Sequence, residues 1–202
     1  KGVMLTHANL LANIRAMIHG CAATPAETFV SWLPLYHDMG LIGAWLAVLC
    51  AGARLVLMSP VTFMGRPVRW LRAISAWKGT LSAAPNFAYE ICAAKLDDAD
   101  LRGLDLSSWR IAFNGAEPVH MQTLERFATR FAPYGFRREA LSPVYGLAEN
   151  SVGVTFPPIG RGPRFDQISR QAFLEKGRAE PTGLDDPHAL TFVGCGRPLA
   201  TV

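Results

Sequence analysis

Short runs of β-branched and aromatic residues alternate with segments of helical apolar spacing through the first 156 residues, and the connections between them are short. Strands that each feed a helix before the next strand pack as a parallel sheet covered by helices, so this alternation predicts an α/β fold with a largely parallel sheet flanked by helices. Thr6 is placed to cap a helix that turns Leu10, Ile14, Met17 and Ile18 to one face. Thr28–Leu33 reads as a strand, and the apolar run after it as a helix over Gly40–Ala51 closed by Gly52. Further strands are predicted at Arg54–Met58, Thr80–Ala84, Trp109–Phe113, Val144–Tyr145 and Val152–Phe156. Helices are predicted to open at Pro67, where proline suits a first helical position, and to span Asn86–Leu96 and Pro118–Phe131, with Asp97–Asp105 an acidic loop. From Pro157 to Pro187 proline, glycine and charge dominate, which predicts a long loop or insertion with one helical candidate at Gln167–Leu174. The expected division is a core subdomain over 1–156, then an insertion-like loop and the start of a further subdomain over 157–202.

Composition narrows the function classes. Half of the 202 residues are hydrophobic and 18% are charged, which suits a chain with a real core and excludes disorder over its whole length. The net charge of +4 is spread along the chain with no basic run interleaved with aromatics, so no nucleic-acid partner is expected. The cysteines at 21, 50, 92 and 195 form no CxxC pair, which predicts buried reduced thiols in a cytoplasmic protein rather than a metal site. The longest apolar run, Gly40–Ala53, is too short to span a membrane. The chain opens on Lys1 rather than Met, and both ends are expected to be cut from something longer. There is no GxSxG of a serine hydrolase and no GxGxxG after the first strand.

Ligands of open α/β sheets bind beyond the carboxyl ends of the strands. Three predicted loops lie there: Pro34–Gly40, Asn114–Pro118 and Tyr145–Glu149. Each pairs a glycine, which admits close backbone approach, with an ionisable group. In the third, Tyr145 offers a flat face to a planar base, Gly146 leaves room beside it, and Glu149 is a hard oxygen ligand suited to Mg²⁺. In the second, the helix expected from Pro118 places backbone donors toward an anion, and Glu117 suits that helix start. In the first, His37 and Asp38 precede an apolar helix, where a histidine can contact a carboxylate or phosphate or gate a pocket. His7, His19, His120 and His188 have no partner at ligand spacing.

Taken in order, the opening KGVMLTH, then LPLYHDMGLIG, SAAPNFAYEIC at Ser82–Cys92, FNGAEPV and PVYGLAENSV resemble the motifs of adenylate-forming enzymes, and within them most resemble the fatty acyl-AMP ligases. The opening is similar to the tail of that family's phosphate-binding loop. The resemblance implies part of the large N-terminal domain of such an enzyme, using ATP and Mg²⁺ to convert a fatty acid to acyl-AMP and pyrophosphate, with an acyl carrier protein as the acceptor. It implies Tyr145, Gly146, Leu147 and Ala148 on one side of the nucleotide, Gly115, Ala116 and Glu117 on the other, and Glu149 as metal ligand. It places His37 beside the acyl carboxylate, with Asp38 and Met39 near it and Asn86 and Phe87 helping to line the site. Ala148 stands where most relatives have threonine, so a hydroxyl contact to the α-phosphate is missing there. Apolar residues around Met39–Leu46 and Ala83–Phe87 are candidates for the wall of an acyl tunnel, although core packing is the simpler reading for most of them. Arg161–His188 falls where the acyl-AMP ligases carry an insertion associated with transfer to a carrier protein. An acyl-CoA synthetase and a non-catalytic nucleotide- or protein-binding module stay open as alternatives. With the phosphate loop and the family's later portion outside the sequence, the isolated chain is expected to be inactive.

Overall fold

The computed structural model describes residues 2–183 and 186–200. Lys1, where the resemblance to the phosphate loop begins, and positions 184, 185, 201 and 202, which belong to the expected insertion and further subdomain, lie outside them.

Five strands form the central sheet: β1 (Thr28–Ser31), β2 (Arg54–Leu57), β3 (Leu81–Ala84), β4 (Ile111–Asn114) and β5 (Leu141–Pro143). Their order is β2-β1-β3-β4-β5 and every pairing is parallel. Strands β1, β3 and β4 are buried along their whole length, as expected of parallel strands covered on both faces, whereas β2 is an edge strand. The chain steps from β1 to one side and then returns to its other side at β3. Strand order therefore reverses between β1 and β3, the place where such sheets open a crevice.

Helix α1 (His7–Gly20) starts as expected. Thr6 Oγ1 accepts from Asn9 N–H at 3.1 Å and Asn9 Oδ1 accepts from Thr6 N–H at 3.0 Å, a capping box with asparagine in the third position. The apolar segment after the first loop is wound differently from a plain α-helix. Residues Met39–Leu46 form a π-helix that continues as α2 (Ala47–Cys50), and Gly52 ends it at φ +66°. These helices cover one sheet face. The other face carries α4 (Val68–Trp77), α5 (Asn86–Lys95) and α7 (Met121–Phe131), between which Trp70, Tyr89, Trp109 and Phe127 pack edge to face with centroids 5.0–6.1 Å apart. Buried hydroxyls are paired: Trp70 Nε1–H donates to Ser82 Oγ at 2.8 Å and Tyr89 O–H to the Phe113 carbonyl at 2.7 Å.

Several expectations need correction. Two short helices were not anticipated, α3 (Pro60–Gly65) behind a Ser59 cap and α6 (Asp98–Leu101) inside the acidic loop. Helix α7 begins at Met121, not at Pro118. Tyr145–Gly146 does not extend the parallel sheet: it is β6, which joins β7 (Gly153–Phe156) and β10 (Arg197–Pro198) in a separate antiparallel sheet. In the segment expected to be a long loop, the helix expected at Gln167–Leu174 is α8 (Arg170–Lys176), but the strands around it, β8 (Phe165–Ile168) and β9 (Leu190–Val193), were not expected; they pair antiparallel, with Ile168 and Ala172 buried. The Arg138 guanidinium, held by Glu125, lies 6.0 Å from the centre of the Phe165 ring and fastens this unit to the core.

Of the thiols expected to be buried, Cys92 is, but Cys50 at the end of α2 is exposed. Burial pushes the Cys92 thiol well above its ordinary pKa. Iodoacetamide is therefore expected to label Cys50 in the native protein and to spare Cys92 until unfolding, a pattern that peptide mapping of the alkylated sites checks.

Candidate active site

The carboxyl edge of the sheet is where the three expected loops converge. The first follows β1. His37 N–H closes a turn on the Pro34 carbonyl at 3.1 Å, and a Cβ on Gly40 would stand 2.2 Å from that same oxygen, so only glycine fits. Asp38 Oδ1 accepts from Met39 N–H at 2.6 Å and lies 3.0 Å from His37 Nδ1. His37 Nδ1 also accepts from the same Met39 N–H at 3.2 Å, and the imidazole side chain is 50% exposed.

The second loop follows β4 and is more constrained than expected. Gly115 is buried, and a Cβ there would meet the Val144 carbonyl at 2.9 Å, so this glycine serves the packing of the two loops. Ala116 sits at φ +69°, a left-handed conformation costing a non-glycine residue about 1–2 kcal/mol. Strain of this kind persists where the surroundings impose it and collects at functional sites. The Glu117 carboxylate does not serve a helix beginning at Pro118. Its Oε1 accepts from Phe87 N–H at 2.6 Å and so caps the start of α5, and the chain is not helical until after His120, whose backbone is extended.

The third loop leaves β5 and turns into β6. The Tyr145 ring is 53% exposed, open to stacking. A Cβ on Gly146 would lie 2.0 Å from the Val152 carbonyl, so a larger residue does not fit beside the ring. That glycine is required by the β6–β7 hairpin. Leu147 donates N–H to Val152 at 3.0 Å, and Ala148, Glu149 and Asn150 form a 3₁₀ turn that leaves Glu149 exposed at the sheet edge.

Beneath these loops, on the face covered by α1 and the π-helix, lies a cavity of about 200 Å³. Its mouth is formed by His37, Asp38, Met39, Ala116, Tyr145 and Gly146, so residues from all three loops meet there. Its walls are apolar: Met17 and Ile18 from α1 with Cys21 just after it, Phe29, Leu81, Ala83 and Phe113 from the sheet, and Gly43 and Ala47 from the covering helices with Ala51 just after them. Gly43, Ala47 and Ala51 recur every fourth residue, and this stripe of small side chains is the sequence signal that there is space rather than packing. A Cβ on Gly43 would meet nothing within 4 Å. Of the segments suggested as tunnel wall, Met39, Gly43 and Ala83 line the cavity. Gly115, Glu117, Leu147, Ala148, Glu149, Asn86 and Phe87 do not line it. The Asn86 side chain is buried in a network with Asn114, His120 and Thr123, and Phe87 packs edge-on to Trp32 with ring centres 6.1 Å apart. Neither the contribution of α1 nor that of Phe113 and Phe156 was anticipated.

The profile of the AMP-binding enzyme family matches residues 1–198. The chain belongs to the AMP-binding enzymes. It is 40% identical over 201 residues to the long-chain-fatty-acid–AMP ligase FadD26 of Mycobacterium bovis, which spans 98% of this chain and 34% of that protein. It is 39% identical over 196 residues to the medium-chain-fatty-acid–(acyl-carrier-protein) ligase TtuA of Teredinibacter turnerae, spanning 97% of this chain and 30% of that one. The crystal structure of the fatty acyl-adenylate ligase from L. pneumophila in complex with acyl adenylate and pyrophosphate matches with a TM-score of 0.95 and 40% identity, over 98% of this chain and 35% of that one. The chain thus spans about a third of the length of the relatives it matches. As an AMP-binding enzyme it shares with them an α/β architecture built on a parallel sheet. No helix among the described residues is long and apolar enough to cross a membrane.

Proposed function

We propose that this chain carries the acyl pocket and one wall of the adenylate site of a fatty acyl-AMP ligase. The observation that carries this reading is the cavity itself: apolar walls open at the carboxyl edge of a parallel sheet, with His37, Asp38 and Tyr145 at the mouth. A fatty acid placed there buries its chain and leaves its carboxylate among polar groups, where burial of each methylene contributes about 0.8 kcal/mol. The relatives named as fatty-acid–AMP and acyl-carrier-protein ligases support the same reading.

The reaction joins two anions. A carboxylate oxygen attacks the α-phosphorus of ATP, the bond from that phosphorus to the bridging oxygen breaks, and pyrophosphate leaves with the electron pair. Holding the reactants in line and offsetting their repulsion is the enzyme's main task. His37, held beside Asp38 and Met39 N–H, sets its imidazole at the mouth against the attacking carboxylate. Tyr145 stacks on the adenine, with the strained Ala116 backbone opposite it. Gly115, Gly146 and Leu147 hold the two loops in register, and Glu117 fixes the second loop to α5. Ala148 offers no hydroxyl to the α-phosphate, so that contact falls to other donors. Asn86 and Phe87 act from behind the loops, as supports. Among the described residues no group of three His, Cys, Asp or Glu side chains converges as a metal site. A single carboxylate is nevertheless a donor set suited to Mg²⁺, which takes one or two carboxylates with substrate phosphates and water. Glu149 would hold it, and the ion would supply positive charge beside the phosphates.

In this reading the 157–202 unit is a separate element on the core, and β8, α8 and β9 direct the acyl group to a carrier protein in the cytoplasm rather than to coenzyme A. The full-length protein with ATP, Mg²⁺, a radiolabelled fatty acid, coenzyme A and a carrier protein tests both steps. Acyl-AMP and acylated carrier protein are expected, with no acyl-CoA. Efficient acyl-CoA formation would place the protein with the synthetases instead, and absence of any acyl-AMP would remove the ligase reading altogether.

A further inference from the structure

Among the described residues, two neighbouring cavities share an aromatic pair in their lining. Phe113, Phe156 and Cys21 line the larger one, and the same three residues line a second cavity of about 10 Å³ that reaches toward Arg110, Ser142 and Gly160. The rings of Phe113 and Phe156 stand 5.2 Å apart at 43°, within the range of a packed aromatic pair.

Strand register explains why the division falls there. Ala83, Phe113 and Ser142 are paired neighbours across β3, β4 and β5, so they occupy one row on one face of the sheet. Ala83 is small and leaves the larger cavity open; Ser142 is small and borders the second. Only the Phe113 ring fills the row between them. Phe156, the last residue of β7, meets it from the covering side, and its ring lies 3.6 Å from where a Cβ on Gly20 would stand at the end of α1. The two rings differ in what they support. Phe113 is 9% exposed on an inner strand, whereas Phe156 is half-buried at the end of a short antiparallel strand. Trimming Phe156 therefore opens the division at the smaller structural cost.

We propose that Phe156, backed by Phe113, determines the length of acyl chain that the larger cavity accepts, by closing it off from the second cavity. This rests on the reading of the larger cavity as the fatty-acid site. A chain that outgrows the cavity has to leave methylenes in water or displace the ring, and a pocket of this kind discriminates by on the order of tenfold or more per methylene. Shortening residue 156 joins the two spaces and lets a longer chain pass the partition. Enlarging it brings the wall nearer.

The test uses the full-length protein and saturated fatty acids of increasing length. Displacement of a fluorescent fatty acid without ATP gives the longest acid bound, and acyl-AMP formation with ATP gives the longest acid activated. Phe156→Leu is expected to raise the limit in both measurements, with on the order of a tenfold gain for the first acid beyond the wild-type limit. Phe156→Trp is expected to lower it. Thermal melts identify the folded variants, and the two substitutions push in opposite directions, so a general loss of stability cannot imitate the result. A length profile unmoved in both folded variants overturns the proposal. Limits that move in the binding assay without any acyl-AMP formation support the partition while refuting the ligase reading. Failure of the folded wild type to bind any fatty acid overturns both.

Discussion

Replacing Glu149 by glutamine is expected to lower acyl-AMP formation by about 10²- to 10³-fold, the loss typical of one preorganised electrostatic contact. Fatty-acid binding should persist, because Glu149 does not line the cavity. Hydrogen bonds around it hold the turn that carries it. Ser151 N–H donates to the Ala148 carbonyl at 3.0 Å, and Asn150 Nδ2 donates to the Gly153 carbonyl at 2.7 Å. Asn13 of α1 engages both backbone groups of Gly153, at 2.7 and 3.0 Å, so the turn is tied to the helix that forms a cavity wall. Glutamine preserves shape and removes charge, which isolates the electrostatic contribution. The decisive comparison is the rate of pyrophosphate release as Mg²⁺ is raised. The variant should need more Mg²⁺ and still reach a lower plateau. A plateau within about threefold of wild type would remove Glu149 from the proposed metal site, since one such contact is worth far more than that.

The sequence could be read most securely where one signal decided the local structure. Thr28–Ser31, Leu81–Ala84 and Ile111–Asn114 are short, mostly apolar or β-branched runs between turn residues, as a strand covered on both faces uses, and their polar members Ser31, Ser82 and Asn114 are buried with the rest. Thr6 was legible as a cap because the helical spacing starts immediately after it. Errors arose where one residue served two plausible partners. Pro118 suits a first helical position, but Glu117 is already committed to Phe87 of α5, and the chain is not helical from that anchor to His120, after which α7 begins. Gly146, read as space for a ligand, also admits the Val152 carbonyl across a hairpin that no local pattern announces. The cavity was the least legible feature. Its walls come from α1, the strands β1, β3, β4 and β7, the π-helix and α2, and an apolar side chain facing a void has the same sequence pattern as one facing a neighbour. Space arises from what is missing, here the side chains of Gly43, Ala47 and Ala83, and that absence acquires meaning only once register sets those residues opposite one another.

Arg110→Met is expected to destabilise the fold by about 2–4 kcal/mol, the second large effect, and the cause lies at the opposite edge of the sheet. Glu27, just before β1, is almost buried. Its Oε1 accepts from Arg110 Nη2 at 2.6 Å and its Oε2 from the Thr80 hydroxyl. Arg110, just before β4, also donates from Nη1 and Nη2 to the Cys21 carbonyl at 3.1 and 3.2 Å. One guanidinium thus joins the end of α1 to the strand starts, alongside Arg54 N–H to Glu27 and Arg110 N–H to Thr80 at 3.0 and 2.8 Å. Methionine fills similar space and leaves the Glu27 carboxylate buried with a single donor, which is where the penalty originates. Because the Arg110 side chain retains 29% exposure, water screens part of the loss and the effect should stay below the upper end for a fully buried pair. For a domain of this size, 3 kcal/mol corresponds to a fall in melting temperature of roughly 6–12 °C. Glu27→Gln should cost only about 1 kcal/mol, since the amide oxygen still accepts from the guanidinium. The double variant separates charge from shape. With the carboxylate also neutralised, nothing is left charged and unpaired, so Glu27→Gln with Arg110→Met should be less destabilised than the sum of the two single changes by more than about 0.5 kcal/mol. Additivity in denaturant titrations of the four proteins would mean that the pair acts only through packing. A shortfall would establish that the buried carboxylate and its one full cation hold the base of the sheet together, and with it Cys21 and the floor of the cavity.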